Sequence, residues 1–175
     1  MADSIVQQIK SDNPEHRALL RKTRFLLAVF VLALVASGLT AVPIVWGVNI
    51  LEKMIGQGTF MERIFPPMAR WISYVHRGLT NIPHESSFIY YGTDWLAFAH
   101  IVIAIAFVGP IRDPVKNIWI VEFGMIACIL VIPMALIFGQ IRGIPFFWRL
   151  IDCSFGTIGI IPLAICRKYI KQMGK

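Results

Sequence analysis

The sequence predicts an all-α integral membrane protein, a four-helix bundle with an amphipathic interfacial helix in the loop after the first span. Three observations carry that expectation. Hydrophobic residues make up 57% of the chain, against about 45–50% in soluble domains. Charged residues make up only 15%, where about 25% is usual. The apolar residues, which give a mean hydropathy of +0.67, are gathered into runs of about 20, the helix length that crosses a hydrocarbon core of about 30 Å. A length of 175 residues accommodates one bundle and no second soluble domain.

Residues 1–24 are polar and are expected as a cytoplasmic N-terminal surface helix. Ser11-Asp12-Asn13-Pro14-Glu15 reads as its turn and N-terminus. Arg17, Arg21, Lys22 and Arg24 lead up to the first apolar run. The first span is expected over 25–48. It exceeds the 7–15-residue core of a signal peptide, and although Val35-Ala36-Ser37-Gly38 imitates a cleavage site, the reading is an uncleaved span.

The loop 51–93 holds Gly56, Gly58, Pro66, Pro67 and Pro83. Within it, Met68, Trp71, Ile72, Val75 and Leu79 follow helical spacing, with Arg70, Ser73 and Arg77 largely opposite. That pattern fits a helix lying in the interface plane, or one packed on the end of the bundle.

The second span is expected over 94–111, closed by Gly109-Pro110. A polar turn at 112–117 follows, with Pro114 suited to a helix start. The third span is expected over 118–141. Gly143 and Pro145 mark the next turn, and the fourth span follows over 146–166. The bundle as a whole covers 25–170, and 171–175 is a basic C-terminal tail.

Orientation follows from Lys and Arg near the span ends. Eleven lie at the N-terminus, the 112–117 turn and the C-terminus, against five in the 51–93 loop and at Arg142. Both termini are therefore expected in the cytoplasm and the protein in a bacterial inner membrane. The net charge of +7 is read as contact with anionic lipid headgroups rather than with nucleic acid. Cys128, Cys153 and Cys166 all fall in apolar segments without a CxxC, which argues against a disulfide framework or a zinc site.

A charge at bilayer depth costs about 2.5–3.5 kcal/mol on insertion scales, so ionisable groups within the spans are informative. The second and fourth spans enter from the same side. His100 then lies about 9 Å below Asp94, and Asp152 about 9 Å below Phe146, at a rise of about 1.5 Å per residue. Gln140 and Arg142 lie where the third span leaves on that side. The candidate polar pocket is therefore His100, Gln140, Arg142, Arg149 and Asp152, with Asp94 at its edge. Arg149 and Asp152, three apart, can meet on one helical face that continues through Gly156 and Gly159. Glu122, near the opposite boundary, is expected to pair with Arg112 or Lys116.

These residues favour a binding or accessory subunit that holds a lipid, a quinone or a partner helix in an outward-facing pocket. Membrane lipids are the expected partners, and the glycine stripe also admits a second copy or a membrane-complex partner. An integral membrane enzyme acting on a lipid or phosphate-bearing headgroup is an alternative, with Arg142 and Arg149 holding phosphate and His100 as acid or base. No catalytic residue is assigned, and the sequence does not decide between enzyme and binder. A haem or metal redox subunit is a further alternative. It is weakened because His100 is the one histidine within a span, with His76 the nearest second ligand. An oligomeric transporter is the last. The sequence requires no cofactor and marks no metal site.

Overall fold

A computed structural model describes residues 14–174. Among them the chain is all helix and turn: α1 Pro14–Ala41, α2 Ile44–Ile55, α3 Phe60–Ile64, α4 Pro66–Thr80, a 3-10 turn His84–Tyr90, α5 Tyr91–Ala106, α6 Val108–Arg112, α7 Ile118–Ile141 and α8 Phe146–Met173. Four segments are long and apolar enough to cross a membrane: Pro14–Ala41, His84–Arg112, Ile118–Ile141 and Phe146–Met173. The protein is an all-α membrane protein of four such helices.

Prolines account for where several boundaries fall. The first apolar run continues past residue 41, but Pro43 has no N–H and disfavours a helical Val42. Helix α1 accordingly stops at Ala41 and α2 begins anew at Ile44, so the first span does not reach 48. At its other end α1 runs unbroken from Pro14. Residues 14–24 thus belong to the same helix as the span rather than to a separate surface helix. The rest of that expected element, 1–13, lies outside the described residues. Pro110 likewise cannot bond to the Ala106 carbonyl, and α5 ends there before the short α6 resumes the course. Helix α7 has the expected bounds. Helix α8 continues beyond 166 to Met173, because Cys166, Ile170 and Met173 remain on its buried face.

The chain forms two compact units, one of residues up to Ala33 together with those from Ile103 onward, the other Leu34–Val102. In the first, Leu27, Phe107, Val121, Leu163, Cys166 and Ile170 form the core, and the rings of Phe30 and Phe107 meet at 5.0 Å. Helices α7 and α8 run antiparallel along their whole length. Moving away from their turn, contacts pair Gly139 with Arg149, Cys128 with Gly156, Gly124 with Leu163, and Glu122 with Arg167. Small residues permit the approach: a Cβ on Gly156 would collide with the Cys128 carbonyl oxygen, and one on Gly159 would lie 3.2 Å from Cys128 Sγ. The glycine stripe of the fourth span is thus filled by α7 of the same chain, as membrane helices pack through small residues.

In the second unit α2 and α4 pack antiparallel. The face of α4 that carries Ala69, Ile72, Ser73 and His76 meets α2, where Ser73 bonds to Glu52 and His76 to Asn49.

Candidate functional site

The turn between α7 and α8 is a Schellman motif. The N–H of Ile144 donates to the Gly139 carbonyl at 2.9 Å and that of Gly143 to Gln140 at 3.1 Å. The motif needs a left-handed residue, and Gly143 supplies it at φ 68°. Pro145 follows and opens α8.

This turn sets Arg149 against Gly139. A Cβ on Gly139 would lie 2.5 Å from Arg149 Cδ and 2.7 Å from Cγ, so the aliphatic stem occupies the space that a larger residue would take. The guanidinium then reaches α7, where Nη1 donates to the Leu136 carbonyl at 3.2 Å. Its carbon lies 5.3 Å from the centre of the Phe146 ring. The Nε–H is buried without a hydrogen-bond partner.

Asp152 is half-buried one turn further into α8. The ion pair that helical spacing allows between it and Arg149 is absent. Among the described residues the salt bridges are Lys116–Asp113 and Arg167–Glu122. The reason lies on the opposing helix: with no side chain at Gly139, the arginine lies across the groove to a carbonyl of α7. Gln140 and Arg142 are exposed at the turn beside this contact. Gln140, Arg142 and Arg149 thus stand together at one end of the α7–α8 pair, with Asp152 deeper.

His100 and Asp94 belong to the other unit. His100 Nδ1 lies 2.7 Å from the Leu96 carbonyl. A carbonyl only accepts, so Nδ1 is the donor in this bond. The ring rests over α1 at Gly38, where a Cβ would lie 2.8 Å from His100 Cβ. Asp94 is exposed in the first turn of α5, where the helix dipole favours a carboxylate.

At the opposite end of the α7–α8 pair, Glu122 accepts from Arg167 Nε at 2.7 Å. The sequence pointed to Arg112 and Lys116 instead. Lys116 meets Asp113 at 3.6 Å, and Arg112 is engaged through its carbonyl, which accepts from Arg24 at 3.2 Å. Counting outward from the Gly143 turn brings Glu122 and Arg167 within about one helical turn of the same level, and that register was the signal for their pairing.

A polar seam between α2 and α4 had no sequence signal beyond helical spacing. Ser73 Oγ donates to the Glu52 carboxylate at 2.8 Å and accepts the Gln57 N–H at 2.9 Å. His76 Nε2 lies 2.8 Å from Asn49 Oδ1, which occupies the histidine considered as a second haem ligand. Among the described residues no group of three or more His, Cys, Asp or Glu stands close enough to hold a metal ion.

No protein-family model, curated protein or solved structure matches the chain.

Proposed function

We propose that the protein is a membrane-embedded binding subunit whose α7–α8 turn holds the phosphate of an anionic lipid headgroup on Arg149. The observation that carries this reading is the state of that side chain: a cation within a membrane-spanning helix, with one carbonyl as hydrogen-bond partner, one N–H buried without any, and no carboxylate. A membrane cation left in that state calls for an anion from outside the chain. A phosphate is the membrane anion that matches the planar fork of a guanidinium.

Arg142 and Gln140, both exposed at the same turn, are suited to further contacts with the headgroup. The N-terminal end of α8 adds a dipole of favourable sign. In this reading the turn lies on the outer side of a bacterial inner membrane with both termini in the cytoplasm, an orientation that the distribution of basic residues supports. The depth agrees, since Arg149 is three residues into α8, about 4.5 Å from its start at about 1.5 Å per residue.

Asp152 favours a second reading, in which the same headgroup is the substrate of an enzyme. It is a carboxylate one turn from Arg149 with no partner among the described residues, suited to act as a base.

The test is native mass spectrometry of protein taken from membranes that contain both phosphatidylglycerol and phosphatidylcholine. Wild-type protein should retain the anionic lipid preferentially. Arg149→Gln should reduce retention about fivefold, the equivalent of about 1 kcal/mol for one basic contact. Equal retention by both proteins would refute the reading. Under the enzyme reading, Asp152→Asn keeps the lipid and stops its turnover.

A further inference from the structure

Helix α2 is amphipathic the wrong way round for a helix packed in water. Its polar residues Asn49 and Glu52 face inward and bond to His76 and Ser73 of α4. Its large apolar residues face outward: Trp46 is 66% exposed and Met54 66%, with Ile50 between them on the same stripe and Leu51 beside it. The short α3 continues the pattern, with Phe60 73% and Ile64 61% exposed one turn apart. An apolar stripe of this size on a soluble surface marks an interaction site.

The charges around it are selected by sign. Lys53, Arg63, Arg70 and Arg77 are exposed. The two glutamates of the segment are engaged, Glu52 by Ser73 and Glu62 by the Gly58 N–H at 2.6 Å. Of the four cations, Lys53 and Arg63 lie on the same two helices as the stripe and edge it, and the neighbouring acids are already occupied. Only two residues separate α2 from α1, a helix long and apolar enough to span the membrane.

From these observations we infer that α2 and α3 form a membrane-surface anchor, with the Trp46–Ile50–Met54 stripe and the Phe60–Ile64 pair dipped into an anionic leaflet. An apolar face edged by Lys and Arg is the signature of an interfacial helix. Helix α4, the segment whose sequence suggested this role, gives up Ala69 and Ile72 to the contact with α2 and serves as the backing. Inward polar bonding has the same cause: Asn49 and Glu52 cannot face acyl chains unpaired. The inference does not depend on a headgroup at Arg149.

Spin labels on single cysteines test it, in vesicles of phosphatidylglycerol and phosphatidylcholine. Trp46→Cys and Phe60→Cys carry the label on the two halves of the stripe, and Tyr74→Cys carries it on the exposed side of α4. Wild-type protein, whose three cysteines are buried, gives the background. Labels at 46 and 60 should collide more with dissolved oxygen than with a water-soluble nickel chelate, and the label at 74 should show the reverse. Replacing phosphatidylglycerol by phosphatidylcholine should shift the first two toward the chelate. Chelate access at both positions would overturn the inference. So would protection from both reagents that appears only at high protein concentration, which indicates a second chain on the stripe. Because the two stripe labels sit on different helices, failure of one variant to fold leaves the other as the test.

Discussion

Arg149 lies across Gly139. The stem of the arginine fills the place of a side chain that α7 lacks, and its guanidinium bonds to Leu136 on the same helix. This contact decides the state of the charge. It draws Arg149 across the α7–α8 groove instead of toward Asp152, and it leaves both without an ionic partner among the described residues.

Gly139→Ala should therefore act at a distance from its own position. The added methyl forces the stem of Arg149 aside and breaks the bond to Leu136. Overpacking of this kind costs about 1–3 kcal/mol. Thermal unfolding in detergent measures that loss, and retention of anionic lipid should fall with it.

Gly156→Ala should be worse, because the obstacle is backbone. The Cys128 carbonyl cannot rotate away as a side chain can, so α7 and α8 must separate. We expect the upper end of the range of about 1–3 kcal/mol for an overpacked site. Gly47→Ala is the control. Nothing lies within 4 Å of a Cβ there, and helix propensity alone favours alanine by about 0.5–1 kcal/mol.

Gly143→Ala tests the turn. At φ 68° an alanine is strained by about 1–2 kcal/mol. The expected result is lower thermal stability with the four helices intact by circular dichroism.

Ser73→Ala should loosen the α2–α4 pair. It leaves the Gln57 N–H and the Glu52 carboxylate without their partner, at a cost of about 1–3 kcal/mol. Glu52 is exposed to this loss because it sits in the last turn of α2, where the helix dipole opposes a carboxylate. Hydrogen exchange should rise at residues 49–57 and 69–77 and stay unchanged in α7 and α8.

For Glu122 and Arg167, each about 40% exposed, a double-mutant cycle with Glu122→Gln and Arg167→Gln should give a coupling of up to about 1 kcal/mol, the upper end for exposed pairs. The same cycle between Glu122 and Lys116 should give none.

The legible part of the fold was what hydropathy and turn chemistry encode. The bounds of α7 follow from an apolar run closed by Gly143 and Pro145, and the structure has them where the run ends. Hydropathy could not see that Pro43 divides the first run, because one proline barely changes the mean over a span and acts through its missing N–H. Nor could it see α8 past Arg167 and Lys168, where Ile170 and Met173 still find the core.

The candidate site was legible as a set of residue types and much less as a set of contacts. Spacing within one helix suggested Arg149 with Asp152, and closeness in sequence suggested Glu122 with Lys116 or Arg112. The actual partners come from the opposing helix, and they follow only once the register of the hairpin is known. Gly139 illustrates the limit. In sequence it is one of 13 glycines, and its role appears only when α8 is laid against it. The α2–α4 seam is of the same kind, since the pairing of Asn49 with His76 and of Glu52 with Ser73 follows only once α4 is placed beside α2.

The measurement that tests the central claim most directly is dipolar recoupling between lipid phosphorus and arginine side-chain nitrogen, on protein with labelled arginine in phosphatidylglycerol bilayers. Proximity of a phosphate to Arg149 predicts dephasing in wild-type protein. It predicts that Arg149→Gln removes a larger share than Arg17→Gln, a change on the other side of the expected topology. Dephasing in Arg149→Gln equal to that of wild-type protein would contradict the account.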